Sequence, residues 1–259
     1  MRRMLSLLAL AALTLLPASR GLAAEENFSW NGTLTSGQTL EVMDINGGID
    51  VKPGSGNVVN VNAVKTSKNG NTSDVEIKVE QEASGTVVCT LYRREDGSFP
   101  NGCRDSNKGR SKRNVDVNVQ FTITMPASAN LDAHTVNGGV SVAGLRGDVE
   151  AKSVNGNVDV ETTGHAQAST VNGTIRAKVG KLDQDTKFST VNGRIVVAVG
   201  TALNADISMS TVNGSLETDF PITIQGKMGK RSLKGRIGSG GPALELSTVN
   251  GGIRIEKAS

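Results

Sequence analysis

Polar and apolar residues alternate with a period of two along most of this chain. Val115, Val117, Val119, Phe121, Ile123 and Met125 occupy every second position until Pro126 ends the run. Val75, Ile77 and Val79 repeat the pattern, as do Val59, Val61 and Ala63. Alternation of this kind predicts half-buried β-strands, here long ones joined by polar loops such as residues 65–71. No helical spacing is evident after the first 24 residues, so the expected fold is all-β.

Beyond Asn130 the strands shorten and a tetrapeptide recurs. Its copies are Thr135-Val136-Asn137-Gly138, Ser153-Val154-Asn155-Gly156, Thr170-Val171-Asn172-Gly173, Thr190-Val191-Asn192-Gly193, Thr211-Val212-Asn213-Gly214 and Thr248-Val249-Asn250-Gly251. Asp44-Ile45-Asn46-Gly47 is an early relative. Ser232-Leu233-Lys234-Gly235-Arg236-Ile237 matches Thr190 to Ile195 in residue type and reads as a decayed copy, with Lys234 in the Asn position. Successive Asn positions from Asn137 to Asn250 are then 18, 17, 20, 21, 21 and 16 residues apart. Short alternating segments lie on both sides of the copies, such as Asp148-Val149-Glu150-Ala151 before one and Asn157-Val158-Asp159-Val160 after it. Each repeat therefore reads as strand, Val-Asn-Gly corner, strand, loop.

Two architectures fit this reading. Asn-Gly is the favoured two-residue hairpin turn, which allows an antiparallel meander. A parallel β-solenoid explains more, because only stacked corners require the same residues every time. In that arrangement Val is expected to point inward as an apolar column. Asn forms an amide ladder, and Gly supplies left-handed backbone angles at the bend. Seven such rungs at ~4.8 Å per strand give a body about 34 Å long. The longer strands of residues 25–130 are expected to widen the coil and cap its open end, continuous with the repeats of residues 131–259.

The first 24 residues change the charge balance. Met1-Arg2-Arg3-Met4, the apolar stretch Leu5 to Leu16 and the small residues Ala23-Ala24 form an expected Sec-type signal peptide. Cleavage is expected after Ala24, with Ala23 as the alternative. No Cys follows the apolar stretch, so no lipoprotein anchor is expected. Without Arg2, Arg3 and Arg20 the chain has 25 basic and 25 acidic residues. That balance argues against a nucleic-acid partner. Aromatic residues make up 3% of the sequence, too few for a deep stacking cleft. No later segment is apolar enough for a membrane span. In an oxidising compartment Cys89 and Cys103, the chain's two cysteines, are expected to form a disulfide. The alternative, a redox or metal pair, lacks a Cys-x-x-Cys spacing and has only His134 and His165 as further soft ligands.

The strand ending in Met125-Pro126-Ala127, then Asn130-Leu131 and the repeated corners, together resemble a bacterial family of secreted β-strand-repeat proteins of unknown function labelled "putative adhesin". The Cys89–Cys103 excursion is similar to one in Gram-negative members. The resemblance covers most of the mature chain. It implies a β-helix-like fold and an envelope location, and it carries over no catalytic residue.

The sequence carries few signals of catalytic chemistry. Asp44, Asp132, Asp148, Asp159 and Asp206 lie near corners at differing offsets, which predicts solvated charges rather than a catalytic pair. His134 and His165 do not share a repeat position. There is no Gly-x-Ser-x-Gly elbow, no phosphate-binding glycine loop before a helix and no calcium-loop pattern. No cofactor or metal is expected. Lys227, Lys230, Arg231, Lys234 and Arg236 crowd one irregular segment and form a candidate patch for an anionic partner. Arg104, Lys108, Arg110, Lys112 and Arg113 crowd another. Arg146-Gly147-Asp148 spells an integrin-type triplet that arises easily in a glycine-rich chain.

The favoured function is a non-enzymatic envelope or surface module that binds a protein or glycan. The alternative is a carbohydrate-active lyase or hydrolase on a β-helix. Acids or cations gathered at one height of one face favour the enzyme, and a uniformly polar face favours the binding module.

Overall fold

A computed structural model describes residues 24–68, 71–105, 115–180, 182–224, 229 and 231–258. The expected leader therefore lies outside the described residues, apart from Ala24. The N-terminal part supplies β1 (Ala24–Thr33), β2 (Thr39–Met43), β3 (Ile49–Gly54), β4 (Val58–Ser67), β5 (Val75–Glu82), β6 (Gly85–Tyr92) and β7 (Asn118–Pro126). Shorter strands follow: β8 (Asn130–His134), β9 (Val140–Leu145), β10 (Val149–Lys152), β11 (Val158–Thr162), β12 (Ala166–Ser169), β13 (Ile175–Val179) and β14 (Thr186–Ser189). The last are β15 (Ile195–Val199), β16 (Ala205–Ser210), β17 (Leu216–Thr218), β18 (Thr223–Ile224), β19 (Ser232–Ile237), β20 (Ala243–Ser247) and β21 (Ile253–Lys257). Among the described residues the helical elements are two 3-10 turns, at Thr72–Asp74 and Cys103–Asp105.

These strands form two large, mostly parallel sheets. The first runs β1-β4-β7-β3-β9-β11-β13-β15-β21-β17, and the second β18-β19-β16-β20-β14-β12-β10-β8-β2-β6-β5. From β8 to β17 each strand passes to the opposite sheet from the one before it. Neighbours such as β11 and β13 are parallel and in register, Val158 beside Ile175 and Val160 beside Ala177. An antiparallel meander would pair sequential strands with one another and is not what these repeats form. Among the described strands the antiparallel pairs are β1–β4, β4–β7, β5–β6, β16–β19 and β18–β19.

The period-2 pattern decides what is buried. Ile175, Ala177 and Val179 point inward from β13, and Ile195, Val197 and Val199 from β15. From the second sheet Ala133, Ala151, Ala168 and Phe188 do the same. Inward residues of both sheets form one contiguous core. Fully burying one Val, Leu or Ile contributes about 1.5–3 kcal/mol, so the repetition itself supplies the stability of the stack. Strands β2 and β3 pair in parallel with β8 and β9, so the core runs unbroken from the N-terminal strands into the repeats.

Cys89 and Cys103 are bonded, with their Cα atoms 5.6 Å apart. Together with Val87 and Leu91 they form a small second core on the outer side of β6. The disulfide thus pins the loop of residues 93–105 over that side of the sheet.

Two features depart from the expected order of repeats. Lys234 does not occupy a corner. It lies within β19, which pairs antiparallel with β16 and places Lys234 beside Ser208. Gly235, the residue that made this segment look like a corner, is instead packed under β18, where a Cβ would meet Ile222 and Thr223. The final repeat is also out of sequence order. Strands β20 and β21 insert between the repeat of β14 and β15 and that of β16 and β17. Residues 200–204 consequently step past an inserted strand to reach β16.

Candidate binding face at the Val-Asn corner

The corners are where the repeated residues meet. Alternation carries through from the preceding strand: Ala166 and Ala168 point inward, Ser169 outward, Thr170 inward and Val171 outward. The first residue of each corner is therefore buried, and the Val faces solvent. This corrects the expectation of an inward Val column. A hydroxyl suits the buried position better than an isopropyl group, because the bend leaves a carbonyl there to be satisfied. Thr135, Ser153, Thr170, Thr190, Thr248 and Thr211 each donate to the carbonyl of the preceding corner's glycine, at 2.8–3.1 Å.

Seven asparagines stack beside them. Asn137 donates its Nδ2 to Oδ1 of Asn46, Asn155 to Asn137, Asn172 to Asn155, Asn192 to Asn172, Asn250 to Asn192 and Asn213 to Asn250, at 2.7–2.9 Å. The ladder thus has Asn46 at one end and Asn213 at the other, with Asn250 inside it. Backbone bonds run parallel to the side-chain ladder. The amide of Asn172 donates to the carbonyl of Val154 at 2.8 Å, and that of Gly156 to the carbonyl of Asn172 at 3.0 Å.

The glycines serve close approach more than backbone angle. A Cβ on Gly138, Gly156, Gly173, Gly193, Gly251 or Gly214 would overlap the carbonyl oxygen of the glycine in the corner below. On Gly47 it would overlap the carbonyl of Val119. Among the corner glycines a positive φ occurs at Gly47 and Gly251 alone. The expected left-handed bend therefore gives way, at the other five, to a steric reason: two backbones in contact.

Outward of these buried layers lie Val136, Val154, Val171, Val191, Val249 and Val212, one above another. Val249 is 39% exposed and Val212 49%, as fits a residue with a neighbour on each side and one at the end of the column. Next to the column, on the second sheet, Ser169, Ser189, Ser247 and Ser210 stand in register. The corner face is thus a neutral array of Ser, Val and Asn columns repeating at about the 4.8 Å strand spacing.

Charges lie to either side, many of them paired. On the first sheet Arg176 meets Asp159 at 3.3 Å and Lys178 meets Glu161 at 3.1 Å, while Arg254 reaches Glu217, Asp219 and Glu256. Asp206 pairs with Arg236 at 3.1 Å, and Asp132 lies 2.6 Å from His134. Asp148 accepts from the amide of His165, whose ring contacts Gln167 and Thr186. The candidate acids are therefore dispersed over both sheets and a loop, and no two of them face one another. The candidate cationic patch is divided as well: Lys227 and Lys230 lie outside the described residues, and Arg236 is paired. Arg231 and Lys234 remain exposed beside it. Of the second basic segment, residues 108–113 lie outside the described residues, and Arg104 bridges Glu41 and Glu82.

Asp44 is the exception. It occupies the position of the buried Thr in the first corner, and Thr90 donates to its Oδ1 at 2.9 Å. Burial pushes its carboxyl up to about 6, against the lowering effect of the Ile45 amide, the Thr90 hydroxyl and the Asn46 amide. Burial, and then the Asp44 charge, also raise the neighbouring Tyr92 phenol. The hydroxyl column and Asp44 were within reach of the sequence, since counting alternate residues from Ala168 or Val42 puts both inside.

No protein-family model and no curated protein matches the chain. Its structure is similar to that of a "putative cell adhesion protein" from Clostridium sporogenes, at 10% identity and a TM-score of 0.48, over 90% of this chain and 100% of that one. A "putative adhesin" from Bacteroides fragilis is similar at 10% identity and a TM-score of 0.32, over 90% of this chain and 97% of that one. Another from Parabacteroides distasonis has a TM-score of 0.27 at the same identity and coverage. The last two are described by the same words, "putative adhesin", as the family that the sequence resembles.

Proposed function

We propose that the chain is an exported β-solenoid that acts in the cell envelope or at the surface as a non-enzymatic binding module. The parallel registers and the seven-Asn ladder support the solenoid. The disulfide supports a periplasmic or extracellular location. Among the described residues no helix is long and apolar enough to cross a membrane.

The observation that carries the binding reading is the exposed Val column. A polar residue at these positions would meet water at no cost, yet six corners in register present an isopropyl group. Contiguous apolar surface bordered by polar groups marks interaction sites. With Asn and Ser columns alongside, the face offers apolar contact and amide and hydroxyl hydrogen bonds in a straight line. A protein or glycan lying along it is the partner class it suits.

The test is a pull-down from envelope fractions with the mature protein, run beside the triple variant Val171→Ser, Val191→Ser, Val249→Ser. The proposal predicts a discrete partner that the variant fails to retain. Equal capture by both would move the site off the corner, and no capture by either would leave the stack without a binding role.

A further inference from the structure

We infer that β1 is a self-association edge, through which two copies of this chain join antiparallel into one continuous sheet. The two sheets have four outer edges, and three are blunted. Strand β17 is three residues long, and among the described residues β18 has two. Strand β5 carries Glu76, Lys78, Glu80 and Glu82. It is also flanked by the disulfide loop, since Lys78 bonds the carbonyl of Asn101 and Glu80 accepts from the amide of Cys103. Short edges, charged edges and covered edges are the recognised defences against unwanted strand pairing.

Among the described residues strand β1 has none of these defences over most of its length. It is ten residues long and pairs with β4 on one side in an unbroken register, from Ala24 beside Ser67 to Thr33 beside Val58. It contains no Pro and no Lys. Of its two acids, Glu26 is neutralised by Lys65 at 2.8 Å. An unprotected edge of this length is an interface rather than a neutral surface.

The sequence of β1 identifies the occupant as a second copy. Phe28, Trp30 and Gly32 are half-buried and point to the core side, while Asn27, Ser29, Asn31 and Thr33 are exposed. From Asn27 to Asn31 the strand is palindromic in residue type about Ser29. A two-fold axis there sets Ser29 beside its own counterpart, Asn27 beside Asn31 and Phe28 beside Trp30. Glu25 then meets Thr33 and Glu26 meets Gly32, so no acid opposes an acid. Directly opposed residues of an antiparallel pair share a face, so the aromatic residues of both copies stay on the core side. Registers shifted by one residue would turn one copy's core side outward. The two-fold pair would extend the ten-stranded sheet across both copies and place two corner faces on one body.

The experiment uses the full mature chain with its native disulfide. Sedimentation equilibrium should give twice the monomer mass for the wild type and the monomer mass for Ser29→Lys, which sets two like charges face to face on the axis while leaving β4 undisturbed. Because that variant could be questioned on folding grounds, Ser29→Cys provides a second readout. On the axis its Cα atoms would lie about 4.5–5.5 Å from each other, within disulfide range. It should form an intermolecular disulfide, whereas Asn27→Cys should link to Asn31→Cys in a mixture and not to itself. A wild type that stays monomeric at every concentration tested would overturn the inference. So would a dimer that survives Ser29→Lys and fails to cross-link through Ser29→Cys.

Discussion

Replacing Asn250 by Ala should destabilise the protein more than replacing Asn213, although Asn250 is much nearer the chain's end. Asn250 sits inside the ladder, donating to Asn192 at 2.7 Å and accepting from Asn213 at 2.8 Å. Its removal breaks two amide bonds and leaves two partners short. Asn213, at the end of the column, takes part in one. A net hydrogen bond contributes about 0.5–1.5 kcal/mol, and water can reach these exposed amides, which favours the lower half of that range. The expected cost is therefore about 1–2 kcal/mol for Asn250→Ala and about half that for Asn213→Ala. For a chain of this size each kcal/mol moves Tm by roughly 2–4 °C, so the two variants should be separable. Circular-dichroism melts under oxidising conditions are the assay, with Asn172→Ala and Asn46→Ala as interior and terminal references. If repeats stacked in chain order, Asn213 would be interior and the ranking would reverse. A larger loss for Asn213→Ala, or no loss for any of the four, would refute the ladder as drawn.

Further predictions concern the layers on either side of the ladder. Gly193→Val should cost more than Asn192→Ala, because its Cβ overlaps the Gly173 carbonyl in a neighbouring backbone that has no room to move; an equal or smaller loss in a urea titration would argue against that contact. Reducing Cys89–Cys103, which closes a loop of about 15 residues, should remove on the order of 3 kcal/mol, read as a lower Tm with the reductant present. Thiol labelling of the unfolded, unreduced chain should find no free cysteine. Asp44 holds its proton more tightly folded than unfolded, so its contribution is fully present below about pH 4 and is lost as pH rises through about 6. Relative to Asp44→Asn, the wild type should therefore lose on the order of 2–3 kcal/mol between pH 4 and pH 8, and parallel stability curves for the two would contradict this.

Much of this arrangement was legible in the sequence because its cause is local. The alternation from Val115 to Met125 marks a strand whatever it pairs with, and Asn-Gly marks a bend. What a bend points inward is also local, but it depends on parity. Reading Val rather than Thr as the buried corner residue looks to hydrophobicity and overlooks the count from Ala168, together with the carbonyl that Thr170 satisfies. The resemblance of Ser232–Ile237 to a corner misled for a different reason. Gly235 answers a packing demand from β18 that residue type alone does not distinguish from a bend. The order of the last two repeats was not legible at all. Thr211-Val212-Asn213-Gly214 and Thr248-Val249-Asn250-Gly251 are the same tetrapeptide, so either corner can stack on Asn192 by local criteria. Long-range pairing decides between them: β16 pairs antiparallel with β19 on one side, leaving its other side to β20.

The parallel, out-of-order stack is the claim on which the corner face depends, and cysteine cross-linking along the outward Ser column tests it directly. In the structure Ser189 lies beside Ser247, and Ser247 beside Ser210, in adjacent parallel strands. Adjacent strands are about 4.8 Å apart, within disulfide reach, whereas strands two apart are about 9.6 Å apart and beyond it. The double variants Ser189→Cys/Ser247→Cys and Ser247→Cys/Ser210→Cys should therefore cross-link within one chain under mild oxidation, and Ser189→Cys/Ser210→Cys should not. Cross-linking of Ser189→Cys to Ser210→Cys would place the repeats in chain order, and failure of all three pairs would contradict the parallel stack itself.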